Sequence, residues 1–407
     1  MQKKVLVIGG GAAGFFAAIR CAELYPECEV IILERGKEAL GKVRISGGGR
    51  CNLTHACWTP RELIKHYPRG SRELLGPFTR FACGDTVDWF EQRGVESKIE
   101  EDGRMFPVTD DSQTIVDCLL GSARRAGVQV HYQTRVDQLI PPGADQTSWQ
   151  VETSKGTYTA DRIMLTTGSN PRIWDALAAM GHQIVPPVPS LFTFNIKDPR
   201  LKDLPGLSVP MAELRIPEYK LQASGPLLIT HWGLSGPGVL RLSAWGAREL
   251  AEANHRFELK VNWVNRSYDE LREMLQGFRE DLAQKSIATR SPREFDMPNR
   301  LWQRLVEAAG IGPAVRWADL SKKQVHRLSE QLTQGSYTVC GKSTFKDEFV
   351  TAGGVDLREV DFKRFESKHF PGLFMAGEVL NIDAITGGFN FQAAWTGGWI
   401  AGESMGE

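Results

Sequence analysis

The first fourteen residues restrict the fold more than any other stretch. Val5-Leu6-Val7-Ile8 is a continuous apolar run, the pattern of a strand buried on both faces of a parallel sheet, and Gly9-Gly10-Gly11-Ala12-Ala13-Gly14 follows at once. From Ala13 to Leu24 the residues suit a helix, with Phe15, Ile19 and Ala22 at helical spacing, and Glu29 to Leu33 predicts a second strand ending at Glu34. The spacing Gly9-x-Gly11-x-x-Gly14 between a strand and a helix predicts a dinucleotide site. Gly9 permits the tight turn, Gly11 lets backbone approach a pyrophosphate, and Gly14 lets helix and strand pack closely. Ala12 and Ala13 fall at the helix N-terminus, where unpaired N–H groups and the positive dipole end favour phosphate. Glu34, about 20 residues beyond the last glycine, is placed to accept from a ribose hydroxyl, with Arg35 beside it. These residues alone do not choose NAD from FAD.

The far end of the chain makes that choice. Gly372-Leu373-Phe374-Met375-Ala376-Gly377 reads as a last strand of the same sheet, followed by Glu378, and Gly387-Gly388 leads into Phe389-Asn390-Phe391-Gln392. A second set of glycine turns so far along the chain suits a flavin better than a nicotinamide held in one N-terminal half. Glu378 is placed to accept from the ribityl chain or to hold a phosphate-bound water, and a helix opened by Gly387-Gly388 presents N–H donors to the flavin pyrimidine edge, where reduction leaves negative charge. A third glycine segment, Ser46-Gly47-Gly48-Gly49-Arg50-Cys51-Asn52, is too polar for core, and its missing side chains let backbone lie against a flat ring. Lys42, Arg44 and Arg50 are candidate cations toward phosphate or reduced flavin, with a solvated surface charge as the alternative for each. Cys51 reads first as a small packing residue, because Cys51-x5-Cys57 is not a redox pair.

Between these ends the composition changes. Trp58 to Glu101 reads as mostly helical, Asp110-Asp111-Ser112 as the cap of a helix to about Ala126, Val128 to His131 as a parallel strand, and Trp149 to Thr159 as a hairpin around Lys155-Gly156. Ile163-Met164-Leu165 is another buried strand, ended by Thr166-Thr167-Gly168. The run Pro186-Pro187-Val188-Pro189 is expected to break regular structure. Short strands dominate from there to about Val264, and charged amphipathic helices from Ser267 to Gln334. The expected class is therefore α/β: a discontinuous Rossmann-like FAD-binding domain, residues 1–187 and 347–407, with an inserted β-rich domain, 188–265, and an inserted helical domain, 266–346. His231, beside Trp232 in a turn of the insert, is a candidate proton donor.

Bulk properties remove several classes. The 49 Lys+Arg balance 49 Asp+Glu, which argues against a nucleic-acid partner. Seven cysteines without repeated spacing fit a reduced, cytoplasmic setting, and no apolar run is long enough to span a membrane. There is no metal-ligand spacing and no G-x-S-x-G elbow.

With these segments quoted, the chain resembles the bacterial FAD-binding oxidoreductases called aminoacetone oxidase-like, to which a dehydro-bile-acid reductase is related. The likeness runs nearly end to end. It rests on Gly41-Lys42, Ile45 to Asn52, Gly103-Arg104-Met105-Phe106-Pro107, Gly233-Leu234-Ser235-Gly236-Pro237, Val350 to Val355, Glu366 to Leu373, Ala376-Gly377-Glu378 and Thr386 to Asn390. It implies FAD contacts at the three glycine segments and a backbone contact from Val136 to adenine. Two departures put the family's substrates in doubt here: the loop after Thr167-Gly168 is short, running through Asn170-Pro171-Arg172, and Asn381 stands where Asp is commoner.

The expected function is FAD-dependent hydride transfer through flavin N5 between a small organic substrate or NAD(P)H and an acceptor. Since no second G-x-G-x-x-G occurs, a nicotinamide would bind without a Rossmann domain of its own. A non-catalytic flavin scaffold or electron-transfer partner and a flavin disulfide reductase are the alternatives; flavin-dependent tRNA modification is disfavoured by the balanced charge.

Overall fold

In the computed structural model, which describes residues 2–143, 148–343 and 350–407, the chain forms two compact units. One is assembled from the residues up to Val188 together with the C-terminal sixty or so; the other begins at Pro189 and runs to the undescribed stretch 344–349.

The first unit is built on a seven-stranded sheet. Five consecutive strands, reaching one edge of the sheet, are parallel, in the order Leu373–Met375, Arg162–Leu165, Lys4–Ile8, Glu29–Leu33 and Gln129–His131. Val5, Leu6, Val7, Ile163, Met164, Leu165, Leu373, Phe374 and Met375 are all fully buried, as a sheet covered on both faces requires. The expected first strand, helix (Ala12–Leu24) and second strand all form, and the last strand enters the sheet some two hundred residues after its neighbour. The Rossmann domain is thus discontinuous. Asp111 caps the helix Ser112–Arg125 by accepting from the Gln113 amide, and the hairpin around Lys155-Gly156 is present.

The C-terminal helix, Phe389–Met405, lies against the fingerprint helix through small residues. A Cβ at Gly398 would stand 2.5 Å from the Ala13 carbonyl oxygen, and one at Gly402 would stand 2.7 Å from that of Ala17. Glycines four apart let the two backbones approach where any side chain would hold them off. Arg20 then reaches Glu403 (2.6 Å) and lies over the Trp399 ring.

The proline run does not break regular structure: Ile184–Pro189 is a strand in a two-stranded sheet with Thr351–Val355. A sheet this narrow leaves one edge with no ladder to donate to, so the missing proline N–H groups cost nothing there. Gly353 allows the approach, since a Cβ there would stand 2.6 Å from Pro187 Cα.

The second unit contains a closed antiparallel barrel of six strands, Thr193–Ile196, Gly233–Ser235, Leu221–Ile229, Ser208–Ile216, Phe257–Asn262 and Gly335–Ser343. The expected boundary between a β-rich domain and a helical domain at 265/266 does not exist. The helices Tyr268–Asp281, Asn299–Ala308 and Lys322–Gln334 send Leu271, Leu275, Trp302, Leu305, Leu328 and Leu332 into the cluster that also holds Leu214, Leu259 and Val261 of the barrel. The strand after the last helix closes the barrel by pairing with Thr193–Ile196 and Phe257–Asn262. The expected boundary at 346/347 lies outside the described residues.

Candidate cofactor site

The fingerprint glycines divide by what surrounds them. Gly9 has φ +109°, and a Cβ there would lie 2.5 Å from the Thr166 carbonyl oxygen; one on Gly14 would lie 2.1 Å from the carbonyl oxygen of Gly9. Both are packed against protein. Gly11 is different: its Cβ would meet only the Thr166 carbonyl oxygen, at 4.0 Å. Open space therefore stands over the helix N-terminus, where Ala12 and Ala13 begin the first turn and their amides have no intrahelical acceptor.

Glu34 is oriented by the backbone around it. Its carboxylate accepts from the amides of Gly10 (2.9 Å) and Gly36 (2.6 Å), so it leans toward the fingerprint turn. The Thr134 amide donates to the Glu34 carbonyl and the Gln133 amide to that of Gly36, which brings the chain just before Val136 to the Glu34 turn. Val136 itself opens a strand paired with Thr153. Arg35 is exposed and is not drawn into this arrangement.

Two further turns meet the same helix end. Lys42 forms an ion pair with Glu378, and the Glu378 carboxylate lies 3.5 Å from where a Gly168 Cβ would stand. Gly377 sits against Ala13, its Cβ position 3.6 Å from that of Ala13. The turns at Lys42, Thr167-Gly168 and Gly377-Glu378 therefore converge on the fingerprint. The Thr167 hydroxyl, buried among them, has no hydrogen-bond partner. An orphaned buried hydroxyl is costly unless a ligand completes it.

The third glycine segment is tied to the start of the C-terminal helix. Gly48 and Gly49 have φ of +69° and +88°, and no atom stands within 4 Å of a Cβ on either, so both face open space. Asn52, with its amide turned to suit its neighbours, accepts from the Gly388 amide (2.9 Å) and donates to the Thr54 carbonyl (3.1 Å). Asn390 bonds both backbone groups of Ala384. These two amides hold the loop before the helix, a role within the protein that the sequence reading did not assign them. Phe389 is buried, with its ring stacked on His66 (4.1 Å between centroids) and His55 (4.6 Å), while Tyr67 donates to its carbonyl.

Arg50 is committed to protein contacts. Its guanidinium pairs with Glu100 (2.7 Å) and Asp110 (3.4 Å) and lies over the Phe106 ring. Cys51 is buried, and burial pushes its thiol up to about 12, so it is protonated and no nucleophile at neutral pH. The seven cysteines are free thiols. His231 belongs to the second unit, in an exposed turn closed between Thr230 and Gly233.

Sequence reasoning missed a buried ion pair at this end of the unit. Asp383, fully buried in the loop before the C-terminal helix, accepts from Arg69 through both oxygens, and the Ile385 amide donates to the His66 carbonyl. These contacts clamp the loop carrying Gly387 and Gly388 to the segment 66–69. No local signal marks residues that meet across more than three hundred positions.

The space over Gly11, the orphaned Thr167 hydroxyl and the open faces of Gly48 and Gly49 fit an elongated dinucleotide laid across the helix N-terminus. Comparison with known proteins agrees at the level of the fold. The chain is 28% identical to a 3-dehydro-bile acid delta(4,6)-reductase of Clostridium scindens, over 100% of both chains. It is 26% identical to a ribosomal RNA dihydrouridine synthase of Escherichia coli, over 98% of this chain and 97% of the other. Neither of these relatives is an aminoacetone oxidase. Among solved structures, the 3-ketosteroid-delta4-(5alpha)-dehydrogenase of Rhodococcus jostii superposes with a TM-score of 0.52 at 16% identity, covering 100% of this chain and 97% of that one, a likeness of fold. Residues 3–404 match a single family profile, and the chain belongs to the HI0933-like protein Rossmann domain family.

Proposed function

We propose that this chain is an FAD-dependent oxidoreductase that saturates a carbon–carbon double bond conjugated to a carbonyl group. The observation that carries this reading is that two relatives, matched over nearly their whole length, are named for unlike substrates and for one kind of bond change. A 3-oxo bile acid with 4,6 unsaturation is a conjugated dienone. Uridine carries a C5–C6 double bond conjugated to the C4 carbonyl. In each, a hydride enters at the far end of the conjugated system and a proton at the carbon beside it.

Bound FAD supplies the hydride-accepting and hydride-donating N5. The protein's part is to bind and orient. The space over Gly11 and the amides of Ala12 and Ala13 take the pyrophosphate, Glu34 the adenosine ribose, and the Val136 backbone the adenine. Thr167, Gly168, Gly377 and Glu378 line the middle of the cofactor, with Lys42 holding Glu378, while Gly48, Gly49 and the helix opened by Gly387 and Gly388 border the ring. Arg50 acts through its ion pairs with Glu100 and Asp110, and Cys51 through packing. His231, in an exposed turn of the second unit, is not assigned the proton. A nicotinamide dinucleotide is the proposed electron source.

An anaerobic titration tests the reading. The purified protein should be yellow, release FAD on denaturation, bleach with NADH or NADPH, and regain colour when a 4,6-dien-3-one steroid or a uridine-containing RNA is added. An isolated alkene should leave it bleached. A well-folded protein that stays colourless and refuses added FAD sinks the proposal, as does reduced flavin that only molecular oxygen can reoxidise.

A further inference from the structure

The balanced total charge conceals a division between the two units. Residues 189–345 carry 22 Lys+Arg against 17 Asp+Glu, a net of +5, which leaves 27 against 32, or −5, for the rest of the chain. Within the second unit the excess is concentrated in one span, which stops short of Asp281 on one side and Glu330 on the other. Residues 282–329 hold nine basic and four acidic side chains, while the remainder of the unit holds thirteen of each.

The loops of that span are hydrogen-bonded together, and it takes in the N-terminal part of the helix Lys322–Gln334, where His326 faces Glu330 just beyond the span. The Ile287 amide donates to the Val315 carbonyl and the Trp317 amide to that of Lys285, joining the loop before Ser291 to the loop before Leu320. Trp302, on the helix Asn299–Ala308, donates to the Ile287 carbonyl (2.8 Å) and stacks on Trp317. Arg327 of the next helix reaches Gly310 at the end of Asn299–Ala308. Two of the four acids are already taken, Asp319 by Arg316 and Glu307 by Arg304. By contrast Lys285, Arg290, Arg293, Lys322, Lys323 and Arg327 are exposed, and among the described residues none of them has an ion-pair partner. No large hydrophobic residue of the span is exposed, so it offers nothing to insert into a lipid surface.

We propose that the surface formed by residues 282–329 docks the phosphate backbone of RNA. The choice of RNA as the polyanion rests on the uridine arm of the proposed reaction; the location rests on charge alone. With few exposed aromatic rings to stack on bases, the surface contributes position and not base choice, and its affinity is carried by counterion release.

The test uses the full chain loaded with FAD and a fluorescently labelled RNA stem-loop, read by anisotropy between 50 and 200 mM salt. With six phosphate contacts, affinity should fall about 10³-fold over that range. The variant Lys322→Glu/Lys323→Glu/Arg327→Glu should bind at least tenfold more weakly and lower the salt slope by about 0.9 for each phosphate no longer neutralised. Arg290→Glu/Arg293→Glu serves as a second variant should the first melt early. Lys155→Glu/Lys363→Glu/Lys368→Glu, in the other unit, should bind as the wild type does. No RNA binding at 50 mM salt, equal weakening in the two triple variants, or binding to phosphatidylserine vesicles in place of RNA overturns the proposal. A protein that binds RNA through this surface but takes up no FAD sinks the reaction and leaves the surface standing.

Discussion

Gly11 and Gly14 lie three residues apart and should answer mutation in opposite ways. Gly11 has φ −96° and ψ −169°, which any residue adopts, and only open space beyond its Cβ position. Gly11→Val is expected to leave denaturant stability within about 0.5 kcal/mol of wild type while abolishing flavin absorbance, because the side chain fills the phosphate space. Gly14→Val drives a side chain into the Gly9 carbonyl and should cost roughly 1–3 kcal/mol or more, seen as a lower urea midpoint. The thiols give a second prediction. Burial raises Cys21 and Cys51 to about 12 and Cys83 to about 11, so at pH 8 DTNB should label exposed Cys340 promptly and these three only after denaturation. Folded thiols that stay protonated while unfolded ones ionise near 9 favour the native state below pH 9, and that advantage is lost as pH climbs from 9 toward 12. The fingerprint glycines and the Glu34 turn were legible because their chemistry is local. His55, Arg69 and Asp383 were not, since each takes its meaning from a partner hundreds of residues away.

The contact between the fingerprint helix and the C-terminal helix is the element on which the site depends most. It places Gly387 and Gly388 at the same end of the sheet as Gly11, and it does so through Gly398 and Gly402, which no side chain can replace without moving Ala13 or Ala17. Gly398→Val should therefore lower both stability and flavin occupancy, with added FAD restoring neither fully; melting followed by flavin fluorescence checks this. Elements buried by simple patterns, such as the parallel strands and the hairpin at Lys155-Gly156, were readable from periodicity. The proline-bearing strand Ile184–Pro189 was not, because a narrow sheet excuses the missing donors. The division of the insert failed for a related reason: a change from strand to helix composition marks a change of element, and only the shared core of Leu214, Leu259, Trp302 and Leu328 shows that no boundary lies there.

At the scale of the molecule, two units with separate cores predict two unfolding transitions in calorimetry. The proposed FAD site lies in one of them, so at about one hundred times its Kd FAD should stabilise one transition by roughly 2.7 kcal/mol and leave the other in place. A single transition moved whole by FAD would show the units to be thermodynamically one. Charge belongs to this scale as well. The zero total argues against nucleic acid only as long as the charges are taken together, because a sum over the chain carries no information about where its terms sit.

The strand Leu373–Met375 and the helix Phe389–Met405 are synthesised some two hundred residues after Arg162–Leu165, yet the parallel sheet cannot be completed without them. During synthesis the barrel-containing unit is free to fold while the nucleotide-binding half waits, holding an open edge at Arg162–Leu165. A chain cut before Leu373 would keep its intact fingerprint and still lack the strand and the helix that finish the proposed coenzyme site.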